Sequence, residues 1–151
     1  MVPTSLDVLR GLPFFEDMED LHVDRLMAMA REVGFVKDQI LFREGDAARQ
    51  FYIILTGKVV LELTTSRGRS RVLTVEEGYG LGWSFLLPET GRHFRARALE
   101  QVRALTFDGG ELRMAIERDA LFGQRLTKRL LRDVTERLEA TILRFHDSFG
   151  S

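Results

Sequence analysis

At the start of the chain, apolar residues recur at helical intervals, Leu6 and Leu9, then Leu21, Leu26 and Met29, with Gly11-Leu12-Pro13 interrupting them. This pattern predicts two helices joined by a turn within residues 1–32. Asp17, three residues before Asp20, predicts an N-cap with an acid in the first turn, where the helix dipole favours negative charge.

Between residues 33 and 107 the period changes. Short β-type runs follow one another: Val33-Gly34-Phe35-Val36, Ile40-Leu41-Phe42, Phe51-Tyr52-Ile53-Ile54-Leu55, Val59-Val60-Leu61-Glu62-Leu63, Arg71-Val72-Leu73-Thr74-Val75, and a last run from Ala96 to Phe107. Glu44-Gly45-Asp46, Thr56-Gly57-Lys58, Ser66-Arg67-Gly68-Arg69 and Glu77-Gly78 separate them, each with a glycine able to take positive φ. Many short strands with regular turns and no βαβ alternation predict an antiparallel barrel or sandwich.

Helical spacing returns over residues 108–147. Asp108-Gly109-Gly110-Glu111 has capping-box spacing. A longer helix, residues 122–145, carries Leu131, Val134, Leu138, Ile142 and Phe145 at three- and four-residue steps between charged flanks. Such a stripe either folds onto its own domain or forms a self-associating seam. Its length, some four turns at the extreme end of a small chain, favours the seam and a homodimer.

Composition narrows the function classes. A chain of 151 residues, 44% hydrophobic and 30% charged, fits one domain. Its 22 basic and 23 acidic residues leave a net charge of -1, so no global field draws it to nucleic acid or an anionic membrane. The chain has no cysteine, which excludes disulfides and thiolate metal sites. Neither a signal-peptide pattern nor a run approaching ~18 apolar residues is present, so the chain reads as cytoplasmic with no membrane partner.

Enzyme chemistry finds little support. A metal site of the cupin type needs two or three histidines with a carboxylate on neighbouring strands, and of His22, His93 and His146 only His93 lies in the β zone. No Ser/His/Asp grouping or phosphate-loop motif occurs, and "GYGLG" lacks the Lys-Ser/Thr or helix spacing of nucleotide loops. The expectation is a non-catalytic protein with no metal and no resident cofactor.

The least ordinary stretch is "GLGWSFLLPETGRHFRARA", residues 80–98, which combines a glycine turn, the sole tryptophan, a proline and three arginines. With "LRGLPFFEDM", with "DQILFREGDAARQFYIILTGKVVLEL" and with "EEGYGLGWSFLL…RHFRARAL", the chain resembles the cyclic-nucleotide-binding domain family. That family includes the sensor half of Crp/Fnr-type regulators and the regulatory modules of cAMP-dependent kinases and gated channels. The resemblance runs from Leu6 to about Arg144 and implies an α+β fold: an antiparallel β-roll, jelly-roll-like, with an N-terminal helix pair and C-terminal helices.

The resemblance also implies that residues 80–98 form a phosphate-binding cassette. In such a cassette a glycine turn and a very short helix present N–H groups to an anion, and an arginine fork pairs with it. Gly80 and Gly82 would supply permissive backbone, residues 83–87 the helix, Pro88 its end, and Leu86 and Leu87 the apolar pair that seats it. The implied ligand site is Gly82, Trp83, Ser84, Arg92 and His93, for a cyclic nucleotide or another small anion, with occupancy read by the C-terminal helix.

Two positions depart from the family pattern. The residue after the phosphate-pairing arginine is commonly small or hydroxylated and is here His93, read either as a positive partner for an anion or as a cap on the pocket. The family usually has Gly-Glu, whose carboxylate accepts a bond from the ribose 2′-hydroxyl, whereas this chain has Gly82-Trp83 and an indole only donates. Two expectations follow: a sensor with an altered sugar contact, Trp83 stacking on a ligand ring, or a ligand-free module in which Trp83 plugs the pocket and the dimer or an unknown protein partner is the function. Arg95 and Arg71 read as solvated surface residues, and the Arg67 to Arg71 hairpin tip as solvated too. From Met1 to "HDSFGS" the sequence reads as a complete small protein without the DNA-reading domain of Crp/Fnr regulators.

Overall fold

The computed structural model describes residues 6–149. The chain runs through α1 (Leu6–Arg10), a 3-10 turn at Pro13–Phe15, α2 (Asp20–Met29), and strands β1 (Arg31–Phe35), β2 (Ile40–Phe42), β3 (Gln50–Thr56), β4 (Val59–Thr65) and β5 (Gly68–Val75). Then come β6 (Gly80–Leu81), two 3-10 turns (Trp83–Leu86 and Pro88–Thr90), β7 (Arg95–Ala98), β8 (Val102–Asp108), α3 (Gly109–Arg118) and α4 (Ala120–Phe149). The strands form two antiparallel four-stranded sheets, ordered β1-β8-β3-β6 and β2-β7-β4-β5. The fold is the expected α+β architecture, an antiparallel β-roll with helices at both ends.

Strand β3 explains how the roll and the helices hold together. Its five consecutive buried residues leave no polar face, because both sides of the strand are covered. Phe51, Ile53 and Leu55 pack with Phe14, Phe15, Phe85, Phe107 and Phe122 on the helical side. Tyr52 and Ile54 point the other way, into the roll, with Val59, Leu61, Leu81, Ala96 and Ala104. Side chains alternate along a strand, so one short segment serves two apolar clusters.

Several boundaries differ from the sequence reading. The roll begins at Arg31 and ends at Asp108, and helix continues to Phe149. Residues 96–107 do not form one strand: β7 pairs with β2 and β4, whereas β8 pairs with β1 and β3 in the other sheet. The short connection at residues 99–101 carries the chain from one sheet to the other. Strand β6 was not predicted, since two residues show no alternation.

Asp17 is not the cap of α2. It takes φ 63, a left-handed conformation that a short polar side chain tolerates, and α2 begins behind Glu19, whose side chain makes no capping bond. Asp108 does cap α3 as its spacing predicts, accepting from the Glu111 N–H at 2.9 Å. The four turn glycines, Gly45, Gly57, Gly68 and Gly78, all have positive φ.

Candidate functional site

Strand β6 leads from the roll into the 80–98 segment and pairs with β3 through Leu81 opposite Tyr52 and Gly80 opposite Ile53. The chain then turns at Gly82, φ 88, where a Cβ would lie 2.9 Å from both Arg92 Nη1 and the Gln50 carbonyl oxygen. A side chain is excluded there on both counts, backbone conformation and space. Gly80 has ordinary φ, so its smallness serves packing: a Cβ would meet the Phe51 ring at 2.6 Å.

After Gly82 comes the short helix, a 3-10 turn over Trp83–Leu86. Pro88 does not simply end it but opens the next turn, Pro88–Thr90, because a fixed φ and a missing N–H suit a first helical position. Phe85 seats the segment, fully buried and 5.3 Å from the Phe51 ring centroid. Leu86 is partly covered and Leu87 is exposed, which corrects the expectation of a seated Leu86 and Leu87 pair.

Arg92 is held from both sides of its backbone. Its N–H donates to the Asp46 carbonyl and its own carbonyl accepts from the Gly45 N–H, each at 2.8 Å, so the Glu44-Gly45-Asp46 turn positions this residue. The side chain is 5% exposed. Nη1 donates to Ser84 Oγ at 3.1 Å, Nη2 donates to the Gln50 carbonyl, and the guanidinium lies 4.2 Å over the Phe42 ring. Nε is buried with no partner, and no carboxylate among the described residues lies within ion-pair distance. Burial lowers its pKa, opposed by the more distant charges of Tyr52 and Asp46.

Trp83 faces α4. Its indole N–H donates to Asp133 Oδ2 at 2.9 Å, and the Gly80 N–H donates to the same oxygen at 3.3 Å. Asp133 is fully buried and its Oδ1 has no partner. Burial pushes the carboxyl above the usual range, against the pull of Trp83, Arg129, Arg137 and Gly80. The indole packs against both apolar clusters.

A cavity of about 180 Å³ remains beside Trp83 and Arg92. Phe42, Leu61, Phe94 and Val134 line it together with Gly82, Ser84 and His93, of which Gly82 is buried and His93 exposed. All five predicted site residues therefore line one concavity. Sequence reading missed Phe42 of β2, which lines the cavity, and two residues that hold its lining from behind, Gln50 of β3 through its carbonyl on Arg92 and Asp133 of α4 on Trp83. A larger cavity of about 270 Å³ lies between residues 16–22 and α4, where Glu16, Asp17 and Glu19 meet Arg125, Lys128 and Arg132.

Arg95 is no solvated arginine. It donates to Glu62 Oε1 through Nε at 3.0 Å and Nη2 at 2.6 Å, and Arg97 joins the same carboxylate and Asp38. On α4, Leu131, Val134, Leu138, Ile142 and Phe145 are 37% to 66% exposed, so much of the stripe's surface stays open in the single chain, while Val134 also lines the cavity. Among the described residues no helix is long and apolar enough to cross a membrane, and no group of three or more His, Cys, Asp or Glu side chains is arranged to hold a metal.

A β-roll closed by helices, with a buried arginine beside a glycine turn, defines a class of regulatory modules. The family model for the cyclic nucleotide-binding domain matches residues 32–119, more than half of the chain, and the protein belongs to that family. A CRP-like cAMP-activated global transcriptional regulator of Mycobacterium tuberculosis is 26% identical over 136 residues, covering 89% of this chain and 59% of the regulator. Cyclic nucleotide-gated ion channel 2 of Arabidopsis thaliana is 29% identical over 116 residues, covering 71% of this chain and 16% of the channel. The chain thus spans less than two thirds of the length of each of these curated relatives. A cyclic nucleotide-binding domain from Methylobacillus flagellatus superposes with a TM-score of 0.82 at 20% identity, covering 97% of this chain and 83% of that one. Family membership supports a regulatory or sensor role.

Proposed function

We propose that the chain is a non-catalytic sensor that binds a small anion between Arg92, His93 and the residues 82–84 turn, and passes occupancy to α4. The observation that carries this reading is Arg92, a 95% buried cation whose bonds all go to neutral groups. A buried charge without a counter-charge is costly, and an anion in the adjoining cavity relieves it. The Trp83–Asp133 bond supports the second half, since it ties the turn that meets the ligand to α4.

The decisive experiment titrates the sole tryptophan's fluorescence with inorganic phosphate, cAMP, cGMP, cyclic dinucleotides and small carboxylates, with hydrogen exchange of α4 in parallel. A saturable response to one of them, lost in Arg92→Ala, with altered exchange in α4, is expected. No response to any anion overturns the sensor reading.

A second reading rests on its own observation, the exposed apolar stripe of α4. In that reading the module is ligand-free and acts as a homodimer or docks another protein, with Trp83, engaged by Asp133, as a structural plug. The two readings part at the anion titration.

A further inference from the structure

The cavity beside Arg92 is chemically lopsided. Its one buried cation is Arg92, its other polar side chains are Ser84, already bonded to Arg92, and His93, which is exposed, and Phe42, Leu61, Phe94, Val134 and Trp83 supply the remaining side chains. A ribose would bring hydroxyl groups into this space, and each needs a partner once water is gone. No carboxylate or carboxamide side chain lines the walls. Of the nearby carboxylates, Asp46 does not line the cavity and its Oδ2 accepts from the Arg43 N–H, and Asp133 lies behind Trp83 with Oδ2 already accepting from the indole and from Gly80. The indole N–H, the one polar atom that Trp83 has to offer, is turned to Asp133 and away from the cavity.

Size points the same way. At about 180 Å³ the space falls below the ~300–1,000 Å³ common for pockets that take drug-sized ligands, and slightly above the ~150 Å³ of an apolar cavity known to hold benzene. One ring and a short substituent fill it. The arginine fork matches a carboxylate in geometry as well as charge. Phe42 already stacks on the guanidinium at 4.2 Å, which keeps the plane of the fork fixed.

Resting on the sensor reading above, we infer that the ligand is a small carboxylate with an apolar body, aromatic or branched aliphatic, and not a sugar-bearing nucleotide. Its carboxylate pairs with Arg92 and replaces the bond to Ser84. Its body lies against Trp83, Phe94 and Val134, so that it touches α4 directly through Val134.

Benzoate, phenylacetate and isovalerate are the probes, with benzamide as the neutral isostere and cAMP, cGMP and phosphate as competitors, read by Trp83 fluorescence and calorimetry. At least one carboxylate is expected to saturate the signal and to bind roughly tenfold or more tightly than its amide, as loss of a charged hydrogen bond implies. Val134→Phe, which fills the cavity from the exposed side and leaves Arg92 in place, is expected to abolish this binding with unchanged far-UV dichroism. If benzamide binds as well as benzoate, or Val134→Phe binds as wild type does, the inference is overturned. Saturation by cAMP or cGMP without any effect of the carboxylates overturns the ligand class and leaves the anion sensor standing. Silence toward every probe, phosphate and nucleotides included, overturns both.

Discussion

Gly82 carries two constraints at once, and they separate experimentally. Its φ of 88 costs any other residue about 1–2 kcal/mol, and a Cβ would in addition press on Arg92 and the Gln50 carbonyl, both 2.9 Å away. Gly45 has a similar φ, 83, with nothing within 4 Å of a Cβ. Gly45→Ala is therefore expected to cost only the backbone term, about 1 kcal/mol, and Gly82→Ala about 2–3 kcal/mol together with loss of the Arg92 geometry. Urea denaturation of the two variants checks this; equal losses would mean that Arg92 and Gln50 yield to the added methyl. Trp83 illustrates the other side of the residue scale. Where the resemblance implies an acceptor this chain has a donor, and Asp133 gives that donor an internal partner.

At the scale of elements, α4 divides into two parts. Up to Leu130 its inward face is apolar and buried: Phe122, Leu126 and Leu130 are at most 2% exposed. Beyond that point polar groups hold it to the rest of the chain, with Asp133 on Trp83, Arg137 over the Tyr79 ring and Arg144 donating to the Val72 carbonyl. The exposed stripe begins where apolar burial ends. If two copies meet along it, Leu138→Asp places two carboxylates in one apolar seam and is expected to yield monomers where the wild type scatters light as a dimer. A wild type that is monomeric, or a variant that stays dimeric, would remove the seam. The short strands were legible because alternation and glycine turns are local signals. The passage from β7 to β8 was not, since apolar residues continue across the point where the chain changes sheets, and only the pairing partners distinguish the two strands. Arg92 was reachable through the family resemblance; Asp133 and Gln50 were not, because they come to the site from 50 and 42 residues away, where no spacing rule connects them.

For the whole molecule, two buried carboxyls give opposite pH slopes. Burial raises Asp133, so its contribution to stability is full below 3.8 and is lost as pH rises through its higher folded value. Glu62 is raised by burial but more strongly lowered by Arg97 and Arg95 together, so its contribution is present above 4.5 and is lost as pH falls through its lower folded value. Against wild type, Asp133→Asn is expected to gain relative stability from pH 4 to pH 7. Glu62→Gln is expected to lose most near neutrality and least in acid. Denaturant midpoints at several pH values decide; profiles parallel to wild type would show that neither group titrates differently on folding. A net charge of -1 conceals this internal opposition.

The two-part construction of α4 also has a mechanical side. At 1.5 Å per residue the stretch from Asp133 to Phe149 is roughly 24 Å long, and Arg137 on the Tyr79 ring and Arg144 on the Val72 carbonyl tie it to the roll beyond Asp133. A tilt of about 5° at Asp133 moves the far tip by about 2 Å, more than the slack of a packed helix seam. In the sensor reading, a small displacement at Asp133 that loosens those two ties would thus be magnified into a change of register between whatever surfaces meet at the tip.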